Sequence, residues 1–220
     1  MTLSLLGADP VAGEVGIVIA SSSPAVAARC AFVRAGVGAA ASQNVTDPRL
    51  GPALLDALGS GPEGAIGSVR AAAAHAEHRQ LAVLDSAGRG ALWSGARALG
   101  VHGGVVGDAC VAAGNLLASE GVPAAAAEAF AAATGPLPER LLAGLRAGVE
   151  AGGEAGPLHS AGLLVAGAVP WPEVDLRVDW SDDPVAGLLA LWAVYGPQRA
   201  DYVRRALDPD AAPAYGVPGE

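Results

Sequence analysis

The chain of 220 residues is 52% hydrophobic and 16% charged, proportions that give one domain a sizeable core and exclude disorder over most of its length. All 13 basic residues are arginine, so a Schiff-base lysine, a P-loop lysine and a lysine general base are excluded outright. A formal charge of −9, with only Arg204 and Arg205 adjacent, argues against nucleic acid and anionic membrane surfaces as partners.

Apolar runs stay short of the roughly 18 residues of a spanning helix, and the opening MTLSLLGADP lacks a basic n-region. The expectation is a cytoplasmic protein with no membrane partner. Cys30 and Cys110 lie far apart in apolar surroundings and read as buried thiols rather than a disulfide or zinc pair. No metal and no cofactor is expected.

Residues 2–8 and 14–21 are β-rich runs joined by the turn formers Asp9-Pro10-Val11-Ala12-Gly13, which predicts an N-terminal hairpin. A segment of undecided type extends to Arg34, and a third strand over 36–41 ends in Ser42-Gln43-Asn44. Asp47-Pro48 opens a helix to about residue 58, with Leu50, Leu54, Leu55 and Leu58 at helical spacing before Gly59 and Gly61. A second helix over 62–77 carries Ile66, Val69 and a run of small alanines. A hairpin between 81–84 and 91–93 follows, then a strand over 105–113 that stops at Gly114-Asn115. Helices are predicted over 123–133 and 138–149, the second showing Leu141, Leu142, Leu145 and Val149 on one face. Strands over 160–165 and 174–178, a last helix from Asp183-Pro184 through Tyr195, and a proline-rich tail complete the chain.

This order of strands and paired helices predicts an α+β fold, a four-layer αββα sandwich of two mostly antiparallel sheets flanked by helices. One domain spans 1–207, and the tail occupies 208–220. No H-E-x-x-H or C-x-x-C occurs. One residue stands out chemically. Thr2 follows the initiator Met and is small enough to permit Met removal, which would leave a hydroxyl nucleophile and a free α-amine on the same residue. With a reference pKa of about 7.7 to 8.0, that amine is free in large part near neutral pH and can accept the hydroxyl proton. Read without context, Thr2 is an ordinary first-strand residue.

The context comes from GIVIASSSPAVAARCAFVRAGVGAAASQNVTDPRLGPALLDALGSG, beginning at Gly16, and from RQLAVLDSAGRGALWSGA, VAAGNLLA, ERLLAGLRAGVEAGGEAGPLHSAGL and WPEVDLRVDW further on. These stretches resemble the DUF1028 family, a group of bacterial proteins with an N-terminal nucleophile (Ntn) hydrolase-like fold, and the resemblance covers nearly the whole chain. It implies an amidase whose nucleophile is Thr2, attacking an amide carbonyl with its own amine as base. It also implies that the ends of the second and third strands approach the nucleophile, which points to Ser21, Ser22, Ser23, Gln43 and Asn44 as substrate-binding residues. An amide near Gln43 or Asn44, or that of Asn115, would suit an oxyanion hole. Strand-end capping is an equally good reading of these polar residues.

The departures are specific. Proteasome-like members place an Asp after the second strand and a Lys near the third, where this chain offers serines and Arg29 or Arg34. A guanidinium is no proton acceptor, which argues against classical proteolysis. His159, beside Ser160 at a strand entrance, is the best placed of the four histidines, with a structural hydrogen bond as its simpler role. His75 and His78 near a helix end read as a solvated final turn. Asp175, Arg177 and Asp179 alternate along a strand, either as an ion-pair ladder or with Arg177 clamping a substrate carboxylate. The expected partners are therefore a small-molecule substrate and further copies of the chain, a homo-oligomer formed through the helix bearing Trp192 and Tyr195. The rival is a non-catalytic structural or binding member of the same fold, an oligomeric partner of a catabolic enzyme.

Overall fold

Side-chain alternation sorts the first strand, β1 (Thr2–Asp9), into two buried faces: Leu3 and Leu5 turn outward to a helical layer, while Leu6 and Ala8 turn inward to a second sheet. The same parity divides β2 (Glu14–Ser21), where Val18 and Ala20 face the helices and Val15, Ile17 and Ile19 face the other sheet. A strand apolar on both sides belongs in the middle of a layered stack. The computed structural model describes residues 2–217; Met1, whose removal the expected role of Thr2 as nucleophile would require, and the last three residues of the proline-rich tail lie outside the described residues.

The remaining elements are α1 (Ala27–Cys30), β3 (Ala31–Arg34), β4 (Gly38–Asn44), α2 (Leu50–Ala57), α3 (Pro62–Ala72), β5 (Arg79–Asp85), β6 (Gly90–Ser94), β7 (Gly103–Gly107) and β8 (Cys110–Asn115). They are followed by α4 (Val122–Ala132), α5 (Leu137–Glu150), β9 (Ser160–Ala166), β10 (Pro172–Val178), α6 (Pro184–Tyr195) and α7 (Arg199–Leu207). One sheet of six strands has the order β10-β9-β2-β1-β8-β7, and one of four has the order β3-β4-β5-β6. Every strand pairing in both is antiparallel. Helices α4, α5 and α6 cover the outer face of the larger sheet, and α2 and α3 cover the smaller one. The inner faces meet around Leu6, Ile17, Ile19, Ala39, Ala41, Leu84 and Val111, giving the four layers expected from segment order.

Three local readings change. The undecided stretch before Arg34 is the short α1 leading into β3. The single strand expected over 105–113 is the hairpin β7–β8, whose tight turn after Gly107 puts Ala109, rather than a glycine, at φ 51°. Helix α7, which the sequence reading did not set apart, has no buried residue although Val203, Ala206 and Leu207 recur at helical spacing. Its Arg199 nevertheless donates to Glu14 Oε1 at 2.6 Å and Glu173 Oε2 at 2.9 Å, tying the β1–β2 hairpin to β10. The tail is strapped to α7 by Arg205, which donates to the carbonyls of Pro213 and Ala214. Asp183 caps α6 as expected, accepting from the Ala186 N–H at 3.0 Å. Cys30 and Cys110 are free and buried. No helix among the described residues is long and apolar enough to cross a membrane.

Close approach of α5 to the sheet depends on missing side chains. A Cβ on Gly144 would stand 2.3 Å from Leu5 Cδ2 of β1 and 2.8 Å from the Ala126 carbonyl of α4. Because that carbonyl is backbone in the adjacent helix, it cannot swing away. Gly144→Val is expected to lower stability by about 2 to 3 kcal/mol, read from the urea midpoint at unchanged m-value.

Candidate active site

At one end of the sandwich the apolar interlayer gives way to polar side chains, and strand register determines which. Thr2 is the Cα partner of Asn115, Ser21 of Ser160, and Gln43 of Gln80. Parity turns all six toward the gap between the sheets, and all six are buried. In the larger sheet, the strand order places them as Ser160, Ser21, Thr2 and Asn115 across four adjacent strand ends.

Gln80 organises the smaller-sheet side. Its Nε2 donates to the Gly114 carbonyl at 2.9 Å, to Ser94 Oγ at 2.9 Å and to the Gly103 carbonyl at 3.3 Å. Carbonyls can only accept, so the amide orientation is fixed and Oε1 faces the other way. There it accepts from Gln43 Nε2 at 2.7 Å and Asn115 Nδ2 at 3.2 Å. Each neighbour thus spends an N–H on Gln80. Gln43 Oε1 and Asn115 Oδ1 are left buried with no hydrogen-bond partner among the described residues. Two such acceptors in one buried layer suit a donor such as a water molecule.

A cleft of about 260 Å³ opens onto this layer. Thr2, Ser21 and Ser23 form its larger-sheet wall, Asn44, Thr46 and Pro48 face them, and Val26, Arg29 and Cys30 close one side. The serine loop is held from within: Ser23 N–H donates to Ser21 Oγ at 3.0 Å, and Ser160 Oγ donates to the Ser23 carbonyl at 2.6 Å while accepting from the Val26 N–H. Arg29 donates to the carbonyls of Pro24 and Ala25 and has no carboxylate partner among the described residues, so the cleft carries a cation without a counter-charge. Cys30 Sγ lies 3.1 Å from Thr46 Oγ1, whose own hydrogen goes to the Ser42 carbonyl, so the thiol is the donor. Burial raises the Cys30 pKa, which keeps it a thiol and a poor nucleophile.

The sequence-predicted residues divide accordingly. Thr2, Ser21, Ser23 and Asn44 line the cleft, while Gln43 and Asn115 lie in the amide layer behind it. Ser22 turns its N–H to Glu154 Oε2 at 3.1 Å. The Asn44 side chain is occupied, donating to the His78 carbonyl and accepting from the Leu99 N–H, with its backbone at φ 72°. His159 lies on the far side of Ser160: its N–H donates to the Ser21 carbonyl, its ring stacks on Trp180 with centroids 4.3 Å apart, and Nδ1 is 3.1 Å from the Ser181 carbonyl. Arg177 is on edge strand β10, 3.7 Å from Asp179 in an ion pair, and is not among the residues of the cleft. No cluster of three or more His, Cys, Asp or Glu able to hold a metal occurs among the described residues. The run Gly59-Ser60-Gly61-Pro62-Glu63-Gly64 has the glycine spacing of a dinucleotide loop, but it joins α2 to α3 and lacks the preceding strand that chemistry needs.

Sequence reasoning missed Gln80 and Glu154. A signal existed for Gln80, a polar side chain at an inward position of the apolar run RQLAVLD. None existed for Glu154, set in a glycine-rich loop. Its carboxyl is pushed up to about 7 by burial, against the pull of the Ser22 hydrogen bond, and its Oε1 has no hydrogen-bond partner among the described residues. Gln80→Leu would strip partners from two carbonyls, Ser94 and two side-chain amides. A loss of about 3 kcal/mol in chemical denaturation is expected, larger than for a typical surface substitution.

The family described as "Family of unknown function (DUF1028)" matches residues 2–188. The crystal structure of protein SPO2555 from Silicibacter pomeroyi, itself assigned to DUF1028, superposes with a TM-score of 0.88 at 30% identity, covering 100% of this chain and 98% of that one. No curated protein matches. A family match that spans both sheets and the candidate cleft, together with a shared backbone over the full length, shows that this chain belongs to the DUF1028 family.

Proposed function

We propose that the protein is an Ntn-type hydrolase of a small-molecule amide, with Thr2 as nucleophile. The observation that carries this reading is the position of Thr2: first residue of a central, doubly covered strand, and at the same time part of the cleft wall. A rigid strand end is a good mount for a nucleophile, because it holds the attacking atom without loop entropy.

On this reading the Thr2 hydroxyl gives its proton to the α-amine, directly or through water, as Oγ1 bonds to the amide carbon. The second hydrogen of Asn115 Nδ2, the one not given to Gln80, meets the developing oxyanion, a contribution of about 3 kcal/mol for a well-placed donor. The amine returns the proton to the leaving nitrogen as the C–N bond breaks. Water then hydrolyses the ester and restores the hydroxyl. A cleft of about 260 Å³ suits a small substrate rather than a polypeptide, and Arg29 in its wall suits an anionic group on that substrate.

An untargeted metabolite screen with the chain beginning at Thr2 is expected to show one amide consumed. Thr2→Ala should abolish turnover with the fold intact, Thr2→Ser should retain part of it, and an uncleaved N-terminal tag should match Thr2→Ala. Full turnover by tagged or Thr2→Ala protein would overturn the mechanism, and loss of every turnover signal with retained ligand binding would favour a binding protein. Homo-oligomerisation is proposed on separate grounds. Val194 is 66% exposed on α6 and Leu191 39%, whereas Tyr195 is engaged within the chain through its hydroxyl bond to the Glu173 carbonyl. Light scattering should show more than one copy at micromolar concentration, and Val194→Arg should shift it toward monomer.

A further inference from the structure

Glu154 stands where β1 would continue if it were extended backward past Thr2. Beyond Asn115 the β8 chain keeps a neighbour on each edge: Leu116 and Leu117 donate to the Leu99 and Val101 carbonyls on the β7 side. On the opposite edge, which belongs to β1 as far as Thr2, residues 153–155 take over. Ala118 N–H donates to the Gly153 carbonyl at 3.0 Å, Ala155 N–H donates to the Leu116 carbonyl at 3.0 Å, and Leu117 and Glu154 form an antiparallel bridge. From that slot the carboxylate reaches across to the end of β2, where Oε2 accepts from Ser22 N–H. The bridge at Leu117 is two register steps beyond the Thr2–Asn115 pair, so Glu154 lies in line with β1 beyond its first described residue, between the ends of β2 and β8.

We propose that Glu154 is the positioning residue for the α-amine of a chain that begins at Thr2, with its carboxylate beside that amine and stabilising the ammonium formed when the amine takes the hydroxyl proton. This rests on the reading of Thr2 as an N-terminal nucleophile and adds the group that orients the base. The buried Oε1, without a hydrogen-bond partner among the described residues, is the acceptor such an ammonium needs, and burial raises the carboxyl's pKa toward the range of an α-amine, so the two groups would titrate as a pair. Charge enters and leaves as a pair: the hydroxyl proton moves to nitrogen as the C–O bond forms and moves on to the leaving amine, with the carboxylate unchanged at the end. Among the described charged residues, Asp182 and Asp183 line a groove together with Glu154, Pro184 and Val185, and His159 stands 3.9 Å from Asp182.

The test reads the amine itself and needs no substrate. Chain beginning at Thr2, verified by intact mass, is labelled with a limiting amine-acylating reagent across pH 5 to 10, and modification of Thr2 is followed by mass spectrometry. In Glu154→Gln, which keeps a carbonyl for Ser22 N–H, the labelling midpoint should fall by about one pH unit or more, since a neighbouring anion is what raises it. Glu154→Asp should recover part of the shift. Thermal melts of all three confirm that the comparison is between folded proteins. An unchanged midpoint in folded Glu154→Gln would overturn the proposal. A shifted midpoint supports it even if no amide is ever turned over, so failure of the hydrolase reading and failure of the Glu154 assignment are told apart. Where turnover is found, Glu154→Gln should lower kcat by about 10- to 100-fold with KM little changed.

Discussion

Everything about this molecule depends on the enclosure of β1. It is hydrogen-bonded along both edges, to β2 and β8, and covered on both faces, by α5 through Leu3 and Leu5 and by the smaller sheet through Leu6 and Ala8. Such a strand has no free edge and no solvent face, so its position is among the best determined in the fold. Its first residue inherits that definition. The glycines on its neighbours serve the same end, because α5 can lie close to Leu3 and Leu5 only where Gly148 and Gly144 present no Cβ.

Two kinds of polar order meet at the end of this strand. One is the amide layer, in which Gln80 fixes the orientation of Gln43 and Asn115 through carbonyls that can only accept. The other is the serine loop, held by Ser160 and by the Glu154 carboxylate. Together they leave three buried oxygen acceptors, on Gln43, Asn115 and Glu154, without protein donors among the described residues. Buried acceptors of this kind are unusual in a well-packed domain, and they are concentrated where β1 begins. The chain has no lysine, so on the proposed N-terminal nucleophile reading acidic and amide oxygens would hold a cationic amine in place of a lysine-assisted arrangement.

Much of the architecture was legible in the sequence because period-two and period-3.6 patterns are strong in β1, β2, α2 and α5, and because Asp-Pro pairs mark helix starts. Thr2, Ser21, Ser23 and Asn44 were legible as strand-end polar residues and do share one cleft. What could not be read came from contacts distant in sequence. Glu154 meets Ser22 across 132 residues, and Gln80 meets Gln43 across 37. His159 and Arg177 looked suitable by residue type, yet His159 is stacked on Trp180 and Arg177 sits on an edge strand, positions that only the topology reveals. The β7–β8 hairpin was hidden because Ala109 takes a left-handed backbone conformation more often given to glycine or asparagine.

On the proposed mechanism the Thr2 hydroxyl is the reactive group of the cleft. Treating the chain that begins at Thr2 with a small acylating β-lactone, then mapping the adduct by peptide mass spectrometry, asks this without knowledge of the substrate. A single ester on Thr2 Oγ1 is expected, formed faster than on any other hydroxyl or thiol of the protein. An adduct on Ser21, Ser23 or Cys30 with Thr2 unmodified would contradict it.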